Sequence, residues 1–162
     1  MRLRLATVAD AEDLRRIYNH EVENTTATFD IESRSLEAQR EWIAERQGAL
    51  GVVVAETEGR VVGFASLSPY RNRAGYRTTV ENSVYVSEDA RGRGVGRALM
   101  NELIDMALKR GFHSIIAHIV DGHEASMALH RTCGFEVVGT EREVGRKFGS
   151  WLDAVIMQRM LA

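Results

Sequence analysis

The chain is short of the residues that staple or interrupt a fold. Its 162 residues include one cysteine and one proline. A lone cysteine excludes an internal disulfide framework and suits a reducing compartment. Pro69 is the sole proline, and no Gly/Ser-rich tract marks a linker. Residues 1–162 are therefore expected to form a single domain. No apolar run nears the ~20 residues that span a bilayer. Asp10, Glu12 and Asp13 follow Met1–Ala6 before the apolar core of a signal peptide could develop. A cytoplasmic location with no membrane partner is the expectation. Charge of one sign is not in excess either: Lys+Arg is 21 against Asp+Glu 23, a net −2. No positive field would draw in a nucleic acid, so none is expected as a partner. Repeats and low-complexity tracts are also missing. What is present is 44% hydrophobic and 27% charged residues, the balance of a globular chain. A chain this long buries roughly 70% of its unfolded surface without staples.

Arg2 to Ala6 alternates polar and apolar as a short strand does. Thr7-Val8-Ala9-Asp10 spells a capping box, and Leu14, Ile17, Tyr18 and Val22 recur at helical spacing to about Glu23. Leu36 to Gln47 reads as a second helix with Gly48 as its stop. Val52–Ala55 and Val61–Ala65, joined by Glu58-Gly59, read as a hairpin. Pro69 to Arg77 is a loop and Thr79 to Ser87 the next strand. On that strand Val80, Val84 and Val86 point to one side, and Glu81, Ser83 and Tyr85 to the other. Val95 to Arg110 carries the stripe Val95, Leu99, Leu103, Met106 of a long helix. A strand over Ser114 to Val120, a helix over Glu124 to Thr132, and closing strands from Val137 and over Ala154 to Met160 complete the chain. Hairpin strands followed by a strand–helix–strand crossover predict a mixed α/β fold, with a central, mostly antiparallel twisted sheet and helices on both faces.

Arg91-Gly92-Arg93-Gly94-Val95-Gly96-Arg97 lies between a strand and the strongest helix. Glycines allow positive φ and close approach, and a helix N-terminus presents unpaired N–H groups and a favourable dipole. This is an anion site suited to a diphosphate. It fails G-x-x-x-x-G-K-[ST], because Arg97-Ala98 follow Gly96. It fails G-x-G-x-x-G, because Arg97 or Leu99 stands where the last glycine belongs. It does match R/Q-x-x-G-x-G/A, the diphosphate loop of the GNAT superfamily of N-acetyltransferases. His123, Ser126, His130 and Gly134-Phe135 similarly resemble that family's N-x-x-S-x-x-x-[YH]-x-x-x-G-[FY]. The resemblance spans nearly the whole chain. It looks closest to the phosphinothricin and methionine sulfoximine acetyltransferase branch, on Ile17-Tyr18-Asn19, Asn24–Ala27, Thr79–Val86 and Val144–Asp153.

The resemblance implies acetyl-CoA as cosubstrate, held by Val84, Tyr85, Val86 and the loop Arg91, Gly92, Arg93, Gly94, Val95, Gly96, Arg97, with His123 and Ser126 from the later motif. His123 departs from the family's Asn, with altered cofactor geometry or pH dependence as the expected consequence. Arg71, Asn72, Arg73 and the strand Glu81, Asn82, Ser83 would line the site of a small-molecule amine. A homodimer is implied on the same grounds.

Acetyl transfer requires a deprotonated amine, a polarised thioester carbonyl, a leaving thiolate and alignment. Glu81 is the candidate general base, directly or through water, with the alternative of a structural carboxylate paired to Arg71 or Arg77. His130 is the candidate acid for the thiolate, or else a satisfied histidine on a buried helix face. A backbone N–H near Val84–Val86 would polarise the carbonyl. Arg71, Arg73 and Arg77 could hold a carboxylate, phosphinate or sulfoximine end, or form a solvated basic loop. Thr26, Phe29, Phe148 and Trp151 are candidate walls of the acceptor pocket, the Lys147–Asp153 stretch acting across a dimer interface, or else parts of the core. His118, Asp121 and His123 lack a second cluster with ligand spacing, so no metal is expected. Cys133 reads as a small buried hydrophobe. The expected activity is acetyl-CoA-dependent N-acetylation of a small amino acid or analogue. The alternatives are acetylation of a protein N-terminus or polyamine, or a non-catalytic acetyl-CoA-binding module.

Overall fold

The structure is a computed structural model that describes residues 1–161. Its strands are β1 (Arg2–Leu5), β2 (Gly51–Thr57), β3 (Arg60–Pro69), β4 (Thr79–Val86), β5 (Ser114–Val120), β6 (Glu136–Lys147) and β7 (Ser150–Met160). Its α-helices are α1 (Ala11–Asn24), α2 (Leu36–Glu45), α3 (Val95–Lys109) and α4 (Glu124–Thr132). Among the described residues the strands form one sheet in the order β1-β2-β3-β4-β5-β7-β6. Every neighbouring pair is antiparallel except β4 with β5. The expected mixed sheet with helices on both faces is what forms.

Period-two alternation sorts the core into two layers. Val52, Val54 and Phe64 face α1 and α2, where they meet Leu14, Ile17, Tyr18, Val22 and Ile43. Val53, Ala55, Ala65 and Leu67 face the other way, onto Val95, Leu99, Met100 and Leu103 of α3 and Met127 of α4. The capping box at Thr7 forms where it is expected, but the helix it introduces begins one turn later. Asp10 accepts the Thr7 N–H at 2.8 Å, but the residues it closes, Val8–Asp10, form a 3-10 turn, and α1 proper starts at Ala11. Arg4 grips the same carboxylate with two hydrogen bonds of 2.8 Å. The β2–β3 hairpin turns through Glu58 (φ 54°) and Gly59 (φ 75°), a turn whose twist matches the strands it joins. The closing strands run further than their patterning suggests, because β6 and β7 continue as a hairpin to Lys147 and Ser150.

One feature of the sheet positions the site. The parallel pairing of β4 with β5 covers Thr79–Ser114, Val80–Ile115 and Glu81–Ile116, and then stops. Beyond Glu81, β4 stays with β3 as far as Val86, while β5 stays with β7 as far as Val120. The sheet therefore forks. Unpaired backbone groups on the facing edges are left for something other than protein to satisfy.

Candidate active site

The fork encloses a cleft of about 650 Å³. Asn82, Ser83, Val84, Tyr85 and Val86 form one wall and Ala117, His118, Ile119 and Val120 the other. At the end away from Glu81 the cleft meets the glycine-rich loop and the start of α3. Gly94 caps that helix with φ 81° and no side-chain cap bond. The N–H groups of the first helical turn have no intrahelical acceptors and point out of the helix end. A Cβ on Gly92 or Gly94 would meet nothing within 4 Å. Glycine there serves the left-handed backbone and the close approach of a ligand, and has no role in internal packing.

Of the residues expected to hold the cofactor, Val84, Tyr85, Val86, Arg91, Gly92, Gly94, Val95, Gly96, His123 and Ser126 line the cleft. Arg93 and Arg97 are exposed and lie off its walls. Arg91 is paired with Glu21 of α1. His123 Nε2 lies 2.8 Å from Thr26 Oγ1, joining the segment after α1 to the start of α4 across the cleft. Lys147 Nζ donates to the Thr28 carbonyl at 2.9 Å and holds the same segment from the β6 side. Phe148 and Trp151, read as acceptor-pocket walls across a dimer interface or else as core, are 61% and 60% exposed, so they are not core, and neither lines this cleft.

His130 is placed differently from a proton donor aimed at a thiolate. Its Nδ1 lies 2.7 Å from the Ser126 carbonyl, which can only accept, so Nδ1 carries the hydrogen. Its Nε2 lies 3.0 Å from Asn82 Nδ2, which can only donate, so Nε2 is the acceptor. Burial pushes its pKa down, against a smaller opposing pull from the Ser126 carbonyl. This is a neutral ring with both nitrogens committed, and it holds Asn82. The Asn82 side-chain oxygen, buried beside the cleft, has no partner among the described residues. An amide N–H from a ligand in the fork would satisfy it, which fits a pantetheine arm.

At the apex Glu81 meets neither arginine proposed for it. Its Oε1 lies 2.6 Å from His118 Nδ1 of β5. His118 Nε2 in turn lies 3.7 Å from Glu141 Oε1 of β6. Arg71, Asn72 and Arg73 are exposed and lie off the cleft walls. The Arg71 guanidinium stacks 4.9 Å from the Tyr70 ring centre and 5.8 Å from that of Tyr76. This loop begins just past Ser68, the residue paired with Glu81, so it belongs to the apex end of the fork.

Comparison with known proteins gives the family. Residues 14–135 match the Acetyltransferase (GNAT) family. The chain belongs to the GNAT acetyltransferase family. It is 42% identical over 158 residues to the L-methionine sulfoximine/L-methionine sulfone acetyltransferase of Pseudomonas aeruginosa, covering 96% of this chain and 92% of that one. It superposes on a ribosomal-protein-alanine N-acetyltransferase from Brucella melitensis with a TM-score of 0.97 at 48% identity, over 99% and 100% of the two chains. It superposes on a phosphinothricin acetyltransferase from Sinorhizobium meliloti in complex with AcCoA with a TM-score of 0.96 at 40% identity, over 99% and 88%.

This GNAT acetyltransferase is an acyltransferase enzyme with acetyl-CoA as its cosubstrate. Two of its cleft residues escaped the reading of the sequence. Glu21 sits among Leu14, Ile17, Tyr18 and Val22, and a carboxylate in that buried stripe was the readable signal. His118 interrupts the apolar run Ile115–Val120 of β5, and its neighbours Asp121 and His123 suggest only a metal ligand. Among the described residues no cluster of three or more His, Cys, Asp or Glu side chains could hold a metal ion. Among them, too, no helix is long and apolar enough to cross a membrane. Burial raises the pKa of the Cys133 thiol and keeps it protonated.

Proposed function

We propose that this enzyme transfers the acetyl group of acetyl-CoA directly to the α-amine of a small amino acid or amino-acid analogue of the methionine sulfoximine or phosphinothricin type. The observation that carries the reading is the polarity of the fork. An anion site lies at one end and an acidic centre, Glu81, at the other. The stretch of β4 from Glu81 to Val86 between them is roughly 17 Å at ~3.4 Å per residue, a length that suits an extended pantetheine arm.

Acetyl-CoA supplies the acetyl thioester. The amides opening α3 and the loop Gly92–Gly96 hold its diphosphate, and Arg91 adds charge beside it. The unpaired edge of β4 hydrogen-bonds the arm and polarises the carbonyl. His123 and Ser126 flank the cleft from the α4 side. The ammonium is drawn to the acidic centre around Glu81 and loses its proton at that end of the fork. Arg71, Asn72 and Arg73, with Asn82 and Ser83, set the acceptor end, where a guanidinium pre-stacked on Tyr70 and Tyr76 suits the carboxylate of an amino acid. His130 acts by holding Asn82. The thiolate, with an ordinary thiol pKa near ~8.5, leaves without a dedicated acid.

The likeness to a ribosomal-protein-alanine acetyltransferase supports a second reading, an α-amine at a protein N-terminus. We further infer a homodimer in the cytoplasm. β6 is an edge strand, and its hairpin with β7 exposes Val138, Val144, Phe148 and Trp151, an apolar face that a second copy would cover. A thiol-release assay on methionine sulfoximine, phosphinothricin, free amino acids, an alanine-initiated peptide and a polyamine tests the function. The highest kcat/KM is expected on the amino-acid analogues. A peptide preference of tenfold or more selects the second reading. CoA binding without release on any amine leaves only a binding module.

A further inference from the structure

The Glu81–His118 contact bridges the fork just past the last β4–β5 backbone pair, and the two residues are not equivalent. His118 lines the cleft, whereas Glu81 does not. The Glu81 carboxylate accepts at 2.6 Å, which places the ring hydrogen on Nδ1 and leaves the lone pair on Nε2. Nε2 makes no hydrogen bond among the described residues, since Glu141 at 3.7 Å is beyond bonding distance. The ring is 32% exposed. We propose that His118 Nε2 is the atom that takes the proton of the acceptor amine, and that Glu81 is the carboxylate that orients and charges the ring. The proposal rests on the acetyl-transfer reading and names the proton acceptor within its acidic centre.

The protons balance. The ammonium gives one proton to Nε2. The lone pair so freed forms the C–N bond as the C–S bond breaks with its electrons to sulfur. The second amine proton reaches the thiolate through solvent. The imidazolium stands between Glu81 and Glu141, and Glu141, 43% exposed, leads its proton to water. The charged groups around the ring are Glu81 from β4 and Glu141 from β6. From β7 it faces the apolar Ile156. Arg46, the residue that caps α2, donates to Ser68, the residue paired with Glu81, and pairs with Glu45. An imidazole is intrinsically a stronger base than a carboxylate. Glu81 and His118 thereby form a carboxylate–imidazole dyad of the kind that fixes tautomer and orientation in other enzymes.

The test is the pH profile of kcat/KM on methionine sulfoximine for wild type, His118→Gln, His118→Ala and Glu81→Gln, with acetyl-CoA affinity by calorimetry as the control for folding. His118→Gln is expected to lower kcat about 100-fold, to leave acetyl-CoA affinity within twofold, and to erase the acid limb in the imidazole range. Imidazole in the buffer should restore part of the activity of His118→Ala. Glu81→Gln should lower kcat without erasing that limb, because the ring loses the group that orients it. His118→Gln with near-normal kcat and an intact limb would return the proton to Glu81 and overturn the assignment, with the acetyl-transfer reading untouched. Weakened acetyl-CoA binding without imidazole rescue would make His118 structural and overturn it as well. A wild type silent on every amine overturns both readings.

Discussion

The guanidinium of Arg91, in the glycine-rich loop, is ion-paired with the buried carboxylate of Glu21 on α1. The Glu21 side chain is 6% exposed and that of Arg91 48%. Thr25 Oγ1 donates to the second Glu21 oxygen at 2.7 Å. The glycine-rich loop is thus tethered to α1, whose Glu21 also lines the cleft. The pair is asymmetric in its burial, so its two halves differ in what their loss does. Arg91→Ala strands a buried carboxylate and is expected to cost about 3 kcal/mol. Glu21→Gln leaves a half-exposed guanidinium that water can solvate, at about 1 kcal/mol. Urea denaturation of both variants reads that order. Arg91→Ala should also raise the KM for acetyl-CoA.

Gly94 has a left-handed backbone and open space around its α-carbon. Gly94→Val therefore meets no clash in the free enzyme. It is expected to lose only about 1–2 kcal/mol of stability through strain. Acetyl-CoA affinity should fall at least tenfold, because the new side chain occupies the space of the ligand. Calorimetry beside thermal melting separates the two effects.

His123 and Thr26 clasp the cleft from two elements. Thr26→Val and His123→Ala each remove the same hydrogen bond, so their effects on acetyl-CoA affinity should not add. A double-mutant cycle is expected to give a coupling of about 1 kcal/mol. Additive losses would mean that the two residues act on the cofactor separately.

Arg4 holds the Asp10 carboxyl below its usual pKa. Partial burial opposes this, and the Thr7 N–H adds to the lowering. A depressed carboxyl stabilises the fold above its unfolded pKa and loses that contribution as pH falls through the folded value. Asp10→Asn is expected to cost about 2 kcal/mol at pH 7, with the gap to wild type closing below about pH 4. Chemical denaturation across pH 3–7 follows it.

Local chemistry explains what the sequence made readable. The stripe of α3, the Glu58-Gly59 turn and the β-branched runs of β2 and β3 encode their own geometry, and they folded as read. The capping box at Thr7 forms as read, but Asp10 is shared with Arg4 and the turn it closes tightens to 3-10. Two things are not written in any short window. The insertion of β7 between β5 and β6 is set by tertiary pairing, and so is the end of the β4–β5 ladder at Glu81. Without that fork, the partner of Glu81 could not be found in the sequence. Nearby arginines were the natural guess, and His118, thirty-seven positions away, is the answer. His130 left two readings open in the sequence, a thiolate acid or a satisfied buried histidine, for a related reason. Its motif position was right, but only the folded neighbours Asn82 and Ser126 reveal that both ring nitrogens are engaged.

The most direct measurement is the electron density of CoA in crystals of the complex. The diphosphate is expected against the amides of Val95 and Gly96, with the arm along Asn82–Val86 and the sulfur pointing to the Glu81–His118 end. Density for the diphosphate in another place, such as the cavity bordered by Arg16 and Arg60 behind α1, with the fork left unfilled, would contradict it.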